Sequence, residues 1–215
     1  MFKHLILNYR FIFAAELKNS KTKKMKKIIT LLTIAAFSTA ALAQSTWKVD
    51  KAHSRLTFTI THLAVSDVDG SFKDFDATIT AAKPDFSDAK FELTAKTASV
   101  NTDNDARDTH LKTGDFFDVA NHPELTFVST SVTPTSAGHY KLTGKMTLNG
   151  ITKPVALDLW YRGTIVNPGN KADDAGFQVT GTIKRSDFAF GTKFGAPALS
   201  DEVAIKANGE FAKAK

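Results

Sequence analysis

From Trp47 onward the chain alternates apolar and polar residues with period two, in short runs punctuated by Gly, Asn, Asp and Pro. Only a β-strand places successive side chains on opposite faces, so the pattern calls for antiparallel sheet with one face buried. Within residues 55–62, Leu56, Phe58 and Ile60 share one face while Arg55, Thr57, Thr59 and Thr61 take the other. Within 155–162, Val155, Leu157, Leu159 and Tyr161 oppose Ala156, Asp158, Trp160 and Arg162. Further runs at 47–50, 71–80, 90–100, 125–133, 139–148, 177–184 and 203–211 bring the expected count to about eight or nine strands. Asn149-Gly150 sits between two of them and predicts a hairpin, because both residues accept the positive φ of a type I′ turn. Residues 103–112 are the one segment that reads as helix, with Asp103 as its cap. An all-β chain with this many strands can be a closed barrel or a two-sheet sandwich.

No cysteine is present, which excludes a disulfide framework, a thiolate nucleophile and Cys-ligated zinc or iron–sulfur sites. The core alone must hold the fold. Residues 25–43 read as a secretory leader: Met25 opens it, Lys26 and Lys27 charge its start, residues 28–37 are almost wholly apolar, and Ala41-Leu42-Ala43 ends it. Cleavage after Ala43 would send the chain to the periplasm, and the apolar stretch is too short to serve as a membrane span. Residues 1–24 precede a leader that is already complete, so translation is expected to start at Met25; a single long signal starting at Met1 gives the same mature chain. The domain expected from Gln44 to Lys215 has 20 basic and 21 acidic residues, because the first 43 residues hold 8 of the 28 Lys and Arg but only 1 of the 22 Asp and Glu. The excess of positive charge therefore belongs to the export address, and nucleic-acid binding loses its compositional support.

Phenylalanine is the favoured large residue, with 13 of the 17 in the expected mature chain, and it alternates with small Ala and Gly neighbours. Such a mixture fits an elongated apolar cavity, though it also fits an ordinary packed core.

Several blocks, in order and spacing, carry a resemblance. They are Trp47-Lys48-Val49-Asp50-Lys51-Ala52-His53-Ser54 running on to Phe58 and His62, then Gly70-Ser71-Phe72-Lys73-Asp74-Phe75. Arg107-Asp108-Thr109-His110-Leu111, Asp115-Phe116-Phe117-Asp118 and Pro123-Glu124-Leu125-Thr126-Phe127 follow. Leu142-Thr143-Gly144-Lys145-Met146-Thr147-Leu148-Asn149-Gly150 and Lys184-Arg185-Ser186-Asp187-Phe188 complete the set. Together they resemble the YceI-like family across residues 45–211. The resemblance implies a lipocalin-like closed antiparallel β-barrel of about eight strands with one short helix, exported to the periplasm. It also implies a ligand, a polyisoprenoid, isoprenoid quinone or fatty-acid derivative held in an apolar tunnel for transport or storage. Alternation nominates Phe58, Ile60, Phe72, Phe75, Leu93, Phe127, Leu157, Leu159, Phe177 and Ile183 as the tunnel lining. His62, Arg107, His110 and Arg185 are the candidate contacts for a polar head group, since cationic donors suit phosphate or other polar oxygens.

Each polar candidate also has a structural reading. Arg107 and Asp108 can pin the helix to the barrel, and Arg185-Ser186-Asp187 can form a salt-bridged turn. Asp50, His53 and Ser54 invite a triad, but neighbours on a strand face opposite ways and no Gly-x-Ser-x-Gly elbow is present. His53, His62, His110, His122 and His139 lack metal-ligand spacing, so neither metal nor cofactor is expected. Trp47 is expected to pack across one barrel end. The expected activity is binding without catalysis. An enzyme using Arg107, His110 or His62 as acid–base groups is the alternative, and a partner-binding module presenting Trp160 and Tyr161 is a third reading. A monomer and a homodimer are both compatible with the pattern, and any membrane contact is expected to be transient.

Overall fold

Period-two patterning becomes ten antiparallel strands in a computed structural model that describes residues 44–214. They are β1 (Ser45–His62), β2 (Ser66–Phe72), β3 (Phe75–Ala81), β4 (Lys90–Lys96), β5 (Val100–Asn101), β6 (Glu124–Ser136), β7 (His139–Leu148), β8 (Ile151–Val166), β9 (Asp173–Lys184) and β10 (Leu199–Lys213). The single α-helix among the described residues is α1 (Asp105–Leu111). The leader at 25–43 and the extension at 1–24 lie outside the described residues.

Eight strands close a ring in the order β1-β3-β4-β6-β7-β8-β9-β10, and β10 pairs back onto β1. Closure removes both sheet edges, so the barrel and not the sandwich is the architecture. β1 makes this possible by serving two neighbours. Its first residues pair with β3, Trp47 opposite Ile79, and its last seven pair with β2, Leu56 opposite Phe72. Between them the register against β10 shifts between Asp50 and Arg55, a bulge that bends the strand. β2 and the two-residue β5 extend the wall at that end.

Several expected boundaries differ. Residues 47–50 and 55–62 are one 18-residue strand, because the register shift against β10 between Asp50 and Arg55 breaks the alternation without ending the strand. The run at 71–80 is two strands, divided at Lys73-Asp74. The run at 90–100 ends at Lys96, and a 3-10 turn over Thr97–Ser99 leads into β5. The helix cap is Asn104, whose side chain accepts from Arg107 N–H at 2.9 Å; Asp103 sits one residue outside with φ 57°. The hairpin between β7 and β8 turns at Asn149 (φ 51°) and Gly150 (φ 71°), as its sequence demands.

One end of the barrel is sealed by aromatic rings. Trp47 meets Phe86 edge-on at 5.3 Å, Phe86 meets Phe177 at 4.9 Å, and the Tyr140 hydroxyl donates to the Asp85 carbonyl. Phe86 is 2% exposed, which makes this end a plug. The other end carries α1, the loop that follows it, and the loop between β9 and β10.

Candidate functional site

Inward positions of the ring enclose an apolar cavity of about 130 Å³ above the aromatic plug. Phe75, Leu93, Phe127, Leu157 and Phe177 lie on its walls, along with Phe58, Phe72 and Ile183. Small residues supply the space, notably Ala77 on β3 and Ala207 and Gly209 on β10. Ser54 is the one buried polar side chain on this wall; its Oγ accepts from Glu210 N–H at 3.1 Å. A second cavity, about 320 Å³, sits toward the α1 end. Phe58, Phe72, Leu125, Ile183 and Ile205 border both, so the two spaces share a wall of side chains. Phe58 can lie there because its partner across the sheet is Gly70: a Cβ at Gly70 would stand 2.2 Å from the Phe58 ring.

Ile60, His62, Arg107, His110 and Arg185 all line the outer cavity. Thus the nominated lining and head-group residues gather on the two walls, with the exception of Leu159. That side chain is 1% exposed and lines neither cavity. It pairs across the sheet with Tyr140, at the plugged end, where the inward face has no space left.

The polar groups differ in how free they are. Asp108, buried, accepts from Thr102 N–H at 2.8 Å and from the Thr102 hydroxyl at 2.6 Å. Arg107 Nε donates to that same hydroxyl at 2.7 Å and Nη2 donates to the Thr102 carbonyl at 2.8 Å. These bonds pin α1 to the barrel. They leave Nη1 of Arg107 without a partner among the described residues, on an exposed side chain bordering the outer cavity. His62 is also exposed and unpartnered among them.

Arg185 is 6% exposed and faces carbonyls instead of a carboxylate. Its Nε donates to the Ser200 carbonyl at 2.8 Å, Nη1 to those of Phe190 (3.0 Å) and Gly191 (2.7 Å), and Nη2 to those of Leu199 (3.3 Å) and Phe194. One guanidinium thus organises the whole loop between β9 and β10. That loop brings Phe190 and Phe194 to the outer cavity, where Phe194 stacks on Phe116 at 5.1 Å. Phe116 and Phe117 are both buried, so the Asp115–Asp118 segment contributes two rings to the interior.

Asp115 fastens the two loops over the outer cavity. It accepts from Lys193 Nζ and lies 3.4 Å from His110 Nε2. Lys193 first, and His110 second, hold the Asp115 carboxyl below its usual value of 3.8. A depressed carboxyl keeps its contacts above the ordinary carboxylate range and loses them only as pH falls through the lowered value. Asp115→Asn is therefore expected to speed release of an amphiphile from the barrel severalfold at pH 7, and its difference from the parent is expected to vanish only as pH falls through the lowered value. Stopped-flow displacement of a fluorescent fatty acid measures both, and equal rates for Asp115→Asn and the parent at pH 7 would show that the fastening does not gate release.

On the outside of the barrel His53 Nδ1 lies 2.8 Å from Asp50 Oδ2. Hydrogen bonding to Asp50 raises the His53 pKa above 6.5, and the same bond lowers that of Asp50. Glu210 joins them, with ligand atoms of the three within 4.8 Å of one another. Ser54 points inward on the opposite face, so the strand's alternation separates it from His53 and no triad forms. Trp160, 39% exposed, stacks on His139 at 5.5 Å, whereas Tyr161 turns toward Phe86 and Phe177.

The model of the YceI-like domain matches residues 47–211, which spans the barrel from Trp47 to Phe211. The chain belongs to the YceI-like family. A relative among YceI-like proteins is Protein YceI of Salmonella newport, 38% identical over 190 residues, covering 86% of this chain and 98% of the relative. The YceI protein of Campylobacter jejuni, of known structure, is 36% identical and superposes with a TM-score of 0.66 over 72% of this chain and 90% of its own. A polyisoprenoid binding domain from Saccharophagus degradans, implicated in plant cell wall breakdown, shares the fold at 13% identity, with a TM-score of 0.60 over 79% of this chain and 98% of its own. YceI-like proteins thus share the closed barrel described here.

Sequence reasoning missed Phe116, Phe190 and Phe194 as cavity residues. They stand in loops, where no period assigns a face. The only signal was the density of Phe in loops that a water-facing segment would not carry.

Proposed function

We propose that this YceI-like protein holds a long-chain amphiphile, a polyisoprenoid, isoprenoid quinone or fatty-acid derivative, within the barrel and carries or stores it in the periplasm. The observation that carries this reading is the make-up of the two walls: the buried lining above the plug is hydrocarbon apart from Ser54, with Arg55 and Lys206 exposed at its border, and the outer cavity adds Arg107 and His62, whose side chains keep nitrogens without partners among the described residues. A hydrocarbon chain gains about 0.8 kcal/mol for each CH₂ it removes from water, so a few isoprene units suffice for firm binding. The outer cavity, about 320 Å³, reaches the size typical of ligand sites. The leader at 25–43 supports a periplasmic address, and the fold shared with a polyisoprenoid binding domain agrees with the ligand class. In this reading the protein performs no chemistry on its cargo, and Arg107, His110 and His62 contact a head group instead of moving protons.

Native mass spectrometry of the protein purified from periplasm tests the reading, with solvent extraction of whatever is bound. The expected result is a discrete added mass that extracts as a long-chain lipid. A clean mass that stays unchanged after exposure to polyprenols, quinones and fatty acids would overturn it.

A further inference from the structure

Two hairpins among the described residues, a two-residue loop between β7 and β8 and a three-residue loop between β1 and β2, each set two consecutive residues at positive φ, on opposite chemistries. Between β7 and β8, Asn149 and Gly150 take φ values of 51° and 71°, the pair that such a turn prefers. Between β1 and β2, Leu63 and Ala64 take φ values of 52° and 57°, and Val65 N–H closes the turn on the His62 carbonyl at 3.1 Å. A Cβ is disfavoured in that region, and a branched apolar side chain has no local hydrogen bond to compensate. The strained turn does not bury what it carries: Leu63 is 53% exposed and Val65 82%. Backbone strain combined with exposed hydrocarbon points to a role outside the fold's own stability.

Location narrows that role. Leu63 N–H donates to the Ala198 carbonyl at 3.1 Å, which joins the tip to the uncharged segment Gly195-Ala196-Pro197-Ala198. Ala64, Ala196 and Pro197 are exposed as well. His62 and Ala198, which flank this rim, line the outer cavity. The nearest carboxylates on β2 are already engaged, Asp67 by the Thr61 hydroxyl at 2.9 Å and Asp69 by the Thr59 hydroxyl at 2.5 Å. The tip and residues 195–198 carry no charged side chain of their own and stand beside the cavity's exposed side, while Asp67 and Asp69 keep their charge farther along β2.

We propose that the Leu63–Val65 tip, with Ala196 and Pro197, inserts shallowly into the surface of a lipid bilayer and sets the outer cavity against it for lipid exchange. A handful of small side chains falls far short of the roughly 800 Å² per partner that a stable protein interface buries, whereas shallow insertion requires no matching surface. Because the rim carries no charge, the attraction is apolar and independent of anionic lipid. The inference rests on the lipid-carrier reading but is separable from it.

The test is flotation with vesicles of pure phosphatidylcholine, comparing the parent with the triple variant Leu63→Asn, Ala64→Gly, Val65→Ser. The variant installs the preferred turn and removes the tip's hydrocarbon. Its melting temperature is expected to rise by about 2–4 °C, while vesicle association falls about tenfold or more. Its equilibrium uptake of a polyprenol delivered in detergent is expected to match the parent. Equal flotation of parent and variant, or none for either, would overturn the proposal, as would association that requires phosphatidylglycerol or disappears in high salt. A lower melting temperature would overturn the strain argument. Failure of both proteins to take up polyprenol, with flotation still dependent on the tip, would overturn the carrier reading and leave the membrane contact standing.

Discussion

Replacing Ala207 with tryptophan is expected to weaken binding of a long-chain amphiphile by more than a thousandfold while leaving the barrel folded. Ala207 faces inward on β10 opposite Leu56 and lies on the wall of the inner cavity. An indole there occupies the space a hydrocarbon tail would take. Displacing about six methylene groups at about 0.8 kcal/mol each removes about 5 kcal/mol, and about 1.4 kcal/mol corresponds to each tenfold. Filling an existing void does not carry the usual cost of overpacking, so the melting temperature is expected to stay within a few degrees of the parent. Because Lys206 also borders the inner cavity, the cleaner control is Ala204→Trp, at an exposed position on the same strand that lines neither cavity, and its affinity is expected to be unchanged. Fluorescence titration with a polyene fatty acid, alongside a thermal melt, reads both. Undiminished affinity in Ala207→Trp would show that the inner cavity is a gap in an ordinary core.

What alternation encodes, and what it leaves out, is visible in single strands. β7 was legible to the residue, His139–Leu148, because four of its five inward positions, Tyr140, Leu142, Met146 and Leu148, are large and apolar, its outward ones are polar, and an Asn-Gly turn ends it. β1 read as two runs because Lys51-Ala52-His53 insert into the pairing with β10 and break the parity without breaking the strand. The corner at Lys73-Asp74 left a trace, since Phe72 and Phe75 are an odd number apart yet both buried. Barrel closure left none. It depends on β1 meeting β10 across nearly the whole domain, Trp47 opposite Lys213, and no local pattern reports a pairing at that separation. The family resemblance supplied that step.

The site divides along the same line. Parity tells which face a side chain takes but not how deep along the barrel it lies, and Leu157 and Leu159 make the difference plain. Both face inward on β8; Leu157 reaches the inner cavity, and Leu159 is packed at the plugged end beside Tyr140. Charge likewise tells that Arg107 and Arg185 need partners, but not which ones. Arg107 divides its donors between Thr102 and the cavity's exposed side, whereas Arg185 is consumed by backbone carbonyls that only the folded loop brings together.

That consumption makes Arg185→Met the most damaging single change expected on the polar side of the site. The methionine keeps much of the volume but leaves the carbonyls of Phe190, Gly191, Phe194, Leu199 and Ser200 without the donor that now serves them. Hydrogen bonds to a charged group are each stronger than neutral ones, and buried acceptors left unpaired carry a desolvation penalty, so a loss of roughly 3–5 kcal/mol is expected. For a domain of this size that lowers the melting temperature on the order of 10 °C. Arg185→Lys is expected to recover little of it, because an ammonium has three donors at one point and the guanidinium spreads five around a plane. The loop would then release Phe190 and Phe194 from the outer cavity, so ligand affinity is expected to fall together with stability, unlike in Ala207→Trp. Thermal melts of the two variants, with titrations well below their transitions, separate the cases. A melting temperature for Arg185→Met within 2 °C of the parent would mean that Phe116, Phe117 and the Asp115–Lys193 contact hold the loop without the arginine.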